Sequence, residues 1–104
     1  MDDPRILCGA SYYEQKYYLN EVYQNLPQQI KDELRIMCVM FVDEVSGIII
    51  LEFDENGSLK IVVTAKENDY YFDEIGSGLK VRQMQKEKAG LFGQLEQYYK
   101  AMNT

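Results

Sequence analysis

The chain of 104 residues contains no histidine and no tryptophan. Histidine is the side chain that most often moves protons near neutral pH, so Ser-His-Asp and Cys-His nucleophilic constellations are excluded. Zinc sites built on imidazole go with them. Two distant cysteines, Cys8 and Cys38, cannot form a four-thiolate site alone. They lack CxxC spacing and read as reduced, buried thiols of a cytoplasmic protein. No apolar run is long enough to span a bilayer, the longest being Ile48 to Leu51 with Phe53 beyond. The start, "MDDPRILCGA", has neither the basic region nor the apolar core of a secretion signal. Positive charge is also scarce: 11 Lys and Arg stand against 17 Asp and Glu, a net charge of −6. Phosphate backbones and anionic lipids are bound by clustered cations, so neither nucleic acid nor a membrane is expected as a partner. Lys80, Arg82, Lys86 and Lys88 form the one candidate basic patch.

Carboxylates remain for chemistry, paired at Asp43–Glu44, Asp54–Glu55 and Asp73–Glu74. Each pair falls at an expected helix end or turn, where solvated acids are common, and no tryptophan platform accompanies them for a sugar. The stretch "DENGS" is not a calcium loop, because Gly57 stands fourth from Asp54 rather than sixth and no glutamate completes it. No metal and no cofactor are expected.

The expected fold is a single α+β domain over 1–104. In "PQQIKDELRIMCVMFVDEV", Ile30, Leu34, Met37, Cys38, Phe41 and Val45 recur at three and four residues, which predicts a helix over 27–46. Pro27 suits its first position and Gly47 its stop. "IMCVMFV" is apolar all round, so that half is expected to be buried on more than one side. An antiparallel hairpin follows, 48–53 with 59–65. A three-residue loop with Gly57 left-handed pairs Phe53 with Leu59, Glu52 with Lys60 and Leu51 with Ile61, matching apolar with apolar and acid with base. One face then carries Ile49, Leu51, Phe53, Leu59, Ile61 and Val63. The other keeps Ile48, Ile50 and Val62 where a solvated face would be polar. Something must cover them: the N-terminal segment, the last helix, or a second copy.

"RILCGA" reads as a strand that joins the sheet. Ser11-x-x-Glu14 fits a capping box, so 11–19 is either a short helix or a hairpin, and the hairpin is preferred. Asp73 is a plausible cap for a long C-terminal helix over about 74–102, with Gly76 and Gly78 able to delay its start to Ser77. Unbroken, that helix would be about 43 Å long at 1.5 Å per residue. It would then overhang the domain or fold back across the sheet.

Nine tyrosines stand out, eight of them in the doublets Tyr12–Tyr13, Tyr17–Tyr18, Tyr70–Tyr71 and Tyr98–Tyr99. Adjacent residues of a strand point to opposite faces, so a doublet serves both a core and a surface. Candidate interface residues are Tyr12, Tyr13, Tyr17, Tyr18, Ile48, Ile50, Val62, Leu91, Phe92, Leu95, Tyr98 and Tyr99. Cys8 is a candidate reactive thiol, and Gly76, Ser77 and Gly78 form a candidate anion-binding turn. The primary functional expectation is a non-enzymatic protein-interaction module that pairs with itself or another protein. The alternative is a small-ligand binder, for a nucleotide or phosphate, or a thiol-based enzyme with a tyrosine-lined pocket.

The runs "ILCGASYYEQKYYLN", "LPQQIKDELRIMCVMFVDEVSGIIILEFDENGSL" and "YYFDEIGSGLKVRQMQKEKAGLFGQLEQYYK" resemble a small family of bacterial proteins of unknown function from Gram-positive anaerobes. The resemblance covers most of the chain, implies a bacterial cytosolic setting, and transfers no site residues.

Overall fold

The computed structural model describes residues 3–103. Strands β1 (Ile6–Ser11) and β2 (Lys16–Leu19) form one hairpin, and β3 (Ile48–Phe53) and β4 (Leu59–Thr64) form another. Antiparallel pairing of β1 with β3 joins them into a sheet of order β2-β1-β3-β4. One turn of 3-10 helix, Glu21–Tyr23, leads from β2 towards α1 (Gln28–Val45), and α2 (Glu74–Glu87) and α3 (Ala89–Met102) complete the chain. The class is α+β, as the composition and patterning predict.

The β3–β4 register follows the turn chemistry. Phe53 pairs with Leu59, Glu52 with Lys60 and Leu51 with Ile61. Gly57 takes φ 81°, the left-handed conformation the three-residue loop requires. The Asp54 carboxylate accepts from the amides of Asn56 at 2.8 Å and Ser58 at 3.0 Å, fixing the loop from inside.

The N-terminal segment is a hairpin, not a helix. Ser11 caps its turn, its hydroxyl accepting from the Glu14 amide at 3.2 Å. A bulge between Ile6 and Cys8 breaks the alternation of β1, and consecutive Leu7 and Cys8 both enter the core, fully buried. Tyr17 and Leu19 pack against the same core, with Tyr18 on the other face.

Helix α1 lies over β1, β2 and β3. Pro27 occupies the cap rather than the first turn, its carbonyl accepting from Ile30 and Lys31. Leu34, Met37, Cys38, Phe41, Val42 and Val45 are buried. Ile36 and Met40 are 58% and 55% exposed, so the second half is not enclosed on several sides. The helix ends in two left-handed residues, Ser46 at φ 69° and Gly47 at φ 83°. A side chain at Gly47 would strike the Thr64 carbonyl oxygen at 2.7 Å. Ser46 is held in this unfavourable conformation by Asp69, whose Oδ2 accepts from the Ser46 hydroxyl and the Tyr13 hydroxyl, each at 2.6 Å. That carboxylate ties the β4–α2 connection to both the first hairpin and the end of α1.

The C-terminal segment is helical over the expected range but bends at Lys88, where φ is −106° and ψ 19°. No proline causes the bend. Lys88 is anchored sideways by an ion pair to Glu33 at 2.8 Å. Beyond it α3 turns onto the sheet, burying Phe92 and Leu95 and stacking Tyr99 on Phe53 at 4.3 Å between ring centroids. The overhanging form is therefore ruled out by the bend. Tyr23, Tyr98, Tyr99 and Phe53 close that end of the core as one aromatic cluster.

Asn20 is the one fully buried amide among the described residues, and it holds the first hairpin to what precedes it. Its Nδ2 donates to the carbonyls of Asp3 at 2.9 Å and Ile6 at 2.8 Å, and its Oδ1 accepts from the Val22 amide at 3.2 Å. Asn20→Ala leaves these groups unsatisfied in a buried site, and urea unfolding should show a loss of about 2 to 3 kcal/mol.

Asp69 gives a pH signature. The Ser46 hydroxyl first, then Tyr13, holds its carboxyl below the usual 3.8. A depressed folded value means that the stabilisation is present above the ordinary carboxylate range and lost as pH falls through the folded value. Asp69→Asn should lower Tm at neutral pH and make the decline of Tm below about pH 4 shallower than in the wild type, as read by scanning calorimetry.

Candidate functional site

The helices and the apolar core lie on the face of the sheet that carries Ile49, Leu51 and Phe53. The opposite face is built by strand alternation from residues that belong to no part of that core. Its central row crosses the sheet from β2 to β4 as Tyr18, Gly9, Ile50 and Val62, each opposite the next. On one side of this row run Lys16, Ser11, Ile48 and Thr64, and on the other Ile6, Glu52 and Lys60. Apolar groups hold the middle row, Lys16 and Lys60 sit on the two edge strands, and Glu52 lies on β3 beside Lys60.

Gly9 makes the row uneven. A Cβ there would fall 2.8 Å from the Ile49 carbonyl oxygen, so the position accepts no side chain without moving the ladder. Its missing side chain leaves a shallow depression of about 220 Å³, walled by Tyr18, Ile6, Ile48 and Ile50. The open face is thus a gap flanked by two knobs, Tyr18 and Ile50.

Of the candidate interface residues, Ile48, Ile50, Val62 and Tyr18 are brought together on this face. Tyr18 is 49% exposed. Tyr12 is exposed in the β1–β2 turn, while Tyr13 is engaged internally, donating to Asp69 and accepting from the Lys66 amide at 3.0 Å. Tyr17 turns into the core. The distal stripe of Leu91, Phe92, Leu95, Tyr98 and Tyr99 is packed within the chain, because the bend at Lys88 lays α3 on the sheet. Alternation along β1 adds Gly9 to the candidate set once that strand is set beside β3, whereas Ile6 reaches this face only through the bulge between Ile6 and Cys8. The exposed Tyr70, Tyr71, Ile75 and Leu79 had no such signal.

The two candidate chemical features are closed. Cys8 and Cys38 are both fully buried, with Sγ atoms 3.9 Å apart and no disulfide between them. The hydrogen bond to Cys8 and then burial push the Cys38 thiol far above its ordinary value. The Tyr17 hydroxyl is buried beside them without a hydrogen-bond partner, and burial, then Cys8, raises its pKa as well. Neither thiol meets the exposure and electropositive surroundings that make a nucleophile. At the Gly76-Ser77-Gly78 turn the position of an anion is already filled: Asp73 caps α2, its Oδ1 accepting from the Gly76 amide at 2.8 Å, and Ser77 is buried. The basic patch is half neutralised, Lys80 pairing with Glu44 and Lys88 with Glu33. A groove of about 260 Å³ lies under the first pair, between α1 and α2, floored by Met37, Phe41 and Met84. Among the described residues no group of three or more His, Cys, Asp or Glu is placed to hold a metal, and no helix is long and apolar enough to cross a membrane.

Fold and surface together define a small α+β protein with one covered and one open sheet face. The family model "Family of unknown function (DUF6145)" matches residues 4–104, and the chain belongs to that family. No curated protein and no solved structure matches it.

Thiol titration checks the closed core. In the native protein both cysteines should resist a disulfide reagent such as DTNB for as long as the fold persists, and both should react at once in denaturant. A fast-reacting thiol in the native state would reopen the thiol-chemistry reading.

Proposed function

We propose that this protein is a non-enzymatic protein–protein interaction module that pairs with a second copy of itself through the open face of the sheet, in a bacterial cytoplasm. The observation that carries the reading is the row of Tyr18, Ile50 and Val62, with Ile48 and Ile6 beside it, left outside the core. Contiguous apolar surface rimmed by polar residues marks interaction sites. The small-ligand and thiol-enzyme alternative loses its two supports, since the thiols are buried and the glycine turn is occupied by Asp73.

The test is sedimentation equilibrium across about 10 to 200 μM. The wild type should show a monomer–dimer equilibrium in that range. Ile50→Lys, which places a charge in the middle of the row, should be monomeric throughout with an unchanged far-UV CD spectrum. Ile36→Lys on the outer side of α1 should leave the equilibrium as it is. A wild type that stays monomeric at the highest concentration overturns the reading.

A further inference from the structure

The open face sets a gap beside a knob, Gly9 opposite Ile50. We infer that two copies pack face to face about a two-fold axis that runs parallel to the strands between β1 and β3, each Ile50 seated in the depression over the other copy's Gly9. This rests on the self-pairing reading above and names its geometry.

Symmetry and size favour this arrangement. A two-fold interface is isologous, so every contact from residue i to residue j is repeated from j to i. Gly9 and Ile50 are cross-strand neighbours, the gap beside the knob. An axis running between their strands exchanges them: Ile50 of one copy meets Gly9 of the other, and the reverse. The same operation sets Tyr18 against Val62 of the second copy, and Ser11 against Ile48. An axis at right angles, along the row, would set Ile50 on Ile50 and Gly9 on Gly9. Bulk would then meet bulk and the two gaps would face each other as a void, which loses packing on both counts. Aligned sheet packing, with strands within about 30° of parallel, is the ordinary arrangement for two twisted sheets.

Charge supports a second copy as the occupant. The chain carries −6 overall, which opposes association of its outer surface with itself. The strand residues of the open face carry Lys16, Lys60 and Glu52, a balance of +1 (two cations, one anion). This axis sets Lys16 against Thr64 and Glu52 against Ile6, and it leaves Lys60 beyond the end of the facing β2. No like charges are opposed. Area sets the strength. Four strands at about 4.8 Å spacing and about six residues of 3.3 Å give roughly 400 Å² per face. A pair thus buries on the order of 800 Å², at the weak end of specific interfaces, where reversible association is the rule.

The test uses the Tyr18–Val62 contact, because these two residues lie on opposite edges of one sheet, three strand spacings or about 14 Å apart, and cannot compensate each other within a copy. Tyr18→Lys and Val62→Glu are purified separately, checked for fold by CD, and measured by sedimentation alone and mixed. Each alone should self-associate at least about tenfold more weakly than the wild type, because a charge is buried without a partner. The equimolar mixture should form a heterodimer at least about fivefold tighter than either homodimer, since it restores one Tyr–Val contact and makes one Lys–Glu pair. A mixture no tighter than its components, with the wild type dimeric, overturns this axis and leaves the self-pairing reading standing. A monomeric wild type overturns both.

Discussion

A four-stranded sheet has two faces, and each must lie against something apolar or be made polar. Here the helices are spent on one of them. Helix α1 spans β1, β2 and β3, and α3 reaches β4, so Ile49, Leu51 and Phe53 vanish from solvent. Helix α2 packs against α1 rather than the sheet, its Met84 meeting the core from the side. With the helices placed, no element among the described residues remains for the second face, yet Ile48, Ile50 and Val62 were not exchanged for polar residues. At roughly 25 cal/mol per Å² of apolar surface removed from water, covering such a face is a real driving force for association.

The bend at Lys88 decides which apolar surface is left over. A straight helix through 74–102 would carry Phe92, Leu95, Tyr98 and Tyr99 away from the domain and make them the sticky feature. Instead the ion pair of Lys88 with Glu33 fixes the junction to α1, and the residues beyond it close the end of the core against Phe53 and Tyr23. Surplus apolar surface is moved from a helix tip, where a partner could take many geometries, to a pleated sheet face, where rows and registers are fixed.

What could be read from the sequence divides along the range of the forces involved. The β3–β4 hairpin was legible down to its register because the three-residue loop Glu55-Asn56-Gly57, the apolar pairs and the Glu52–Lys60 pair all favour one alignment. The extent of α1 was legible from its periodicity, Pro27 and Gly47. The anomaly of Ile48, Ile50 and Val62 was legible too, since alternation failed visibly there. The bulge at Leu7, the bend at Lys88 and the exposure of Ile36 and Met40 were not. Each depends on how distant elements pack, and a run such as "IMCVMFV" names apolar residues without saying which way they point. Gly9 fell between: it gains meaning only once β1 is set beside β3 and its missing side chain is seen as a gap between knobs.

The polar groups of the molecule point the same way as its apolar surface. Asp54 fixes a turn, Asp73 caps a helix, Asp69 holds Ser46 and Tyr13, and Asn20 satisfies two carbonyls and an amide. Each spends its hydrogen-bonding capacity on the backbone or on a neighbouring side chain, and none is left aimed into an open cleft. The thiols are enclosed. Groups committed in this way hold a shape, and the shape they hold is a sheet with a glycine gap beside an isoleucine. In the proposed pair, a small face with nearly balanced charge is set against repulsion from the rest of a surface of net charge −6. Salt that screens the repulsion should therefore favour the pair, and dilution should release it, which makes concentration rather than permanent assembly the variable that such a module responds to.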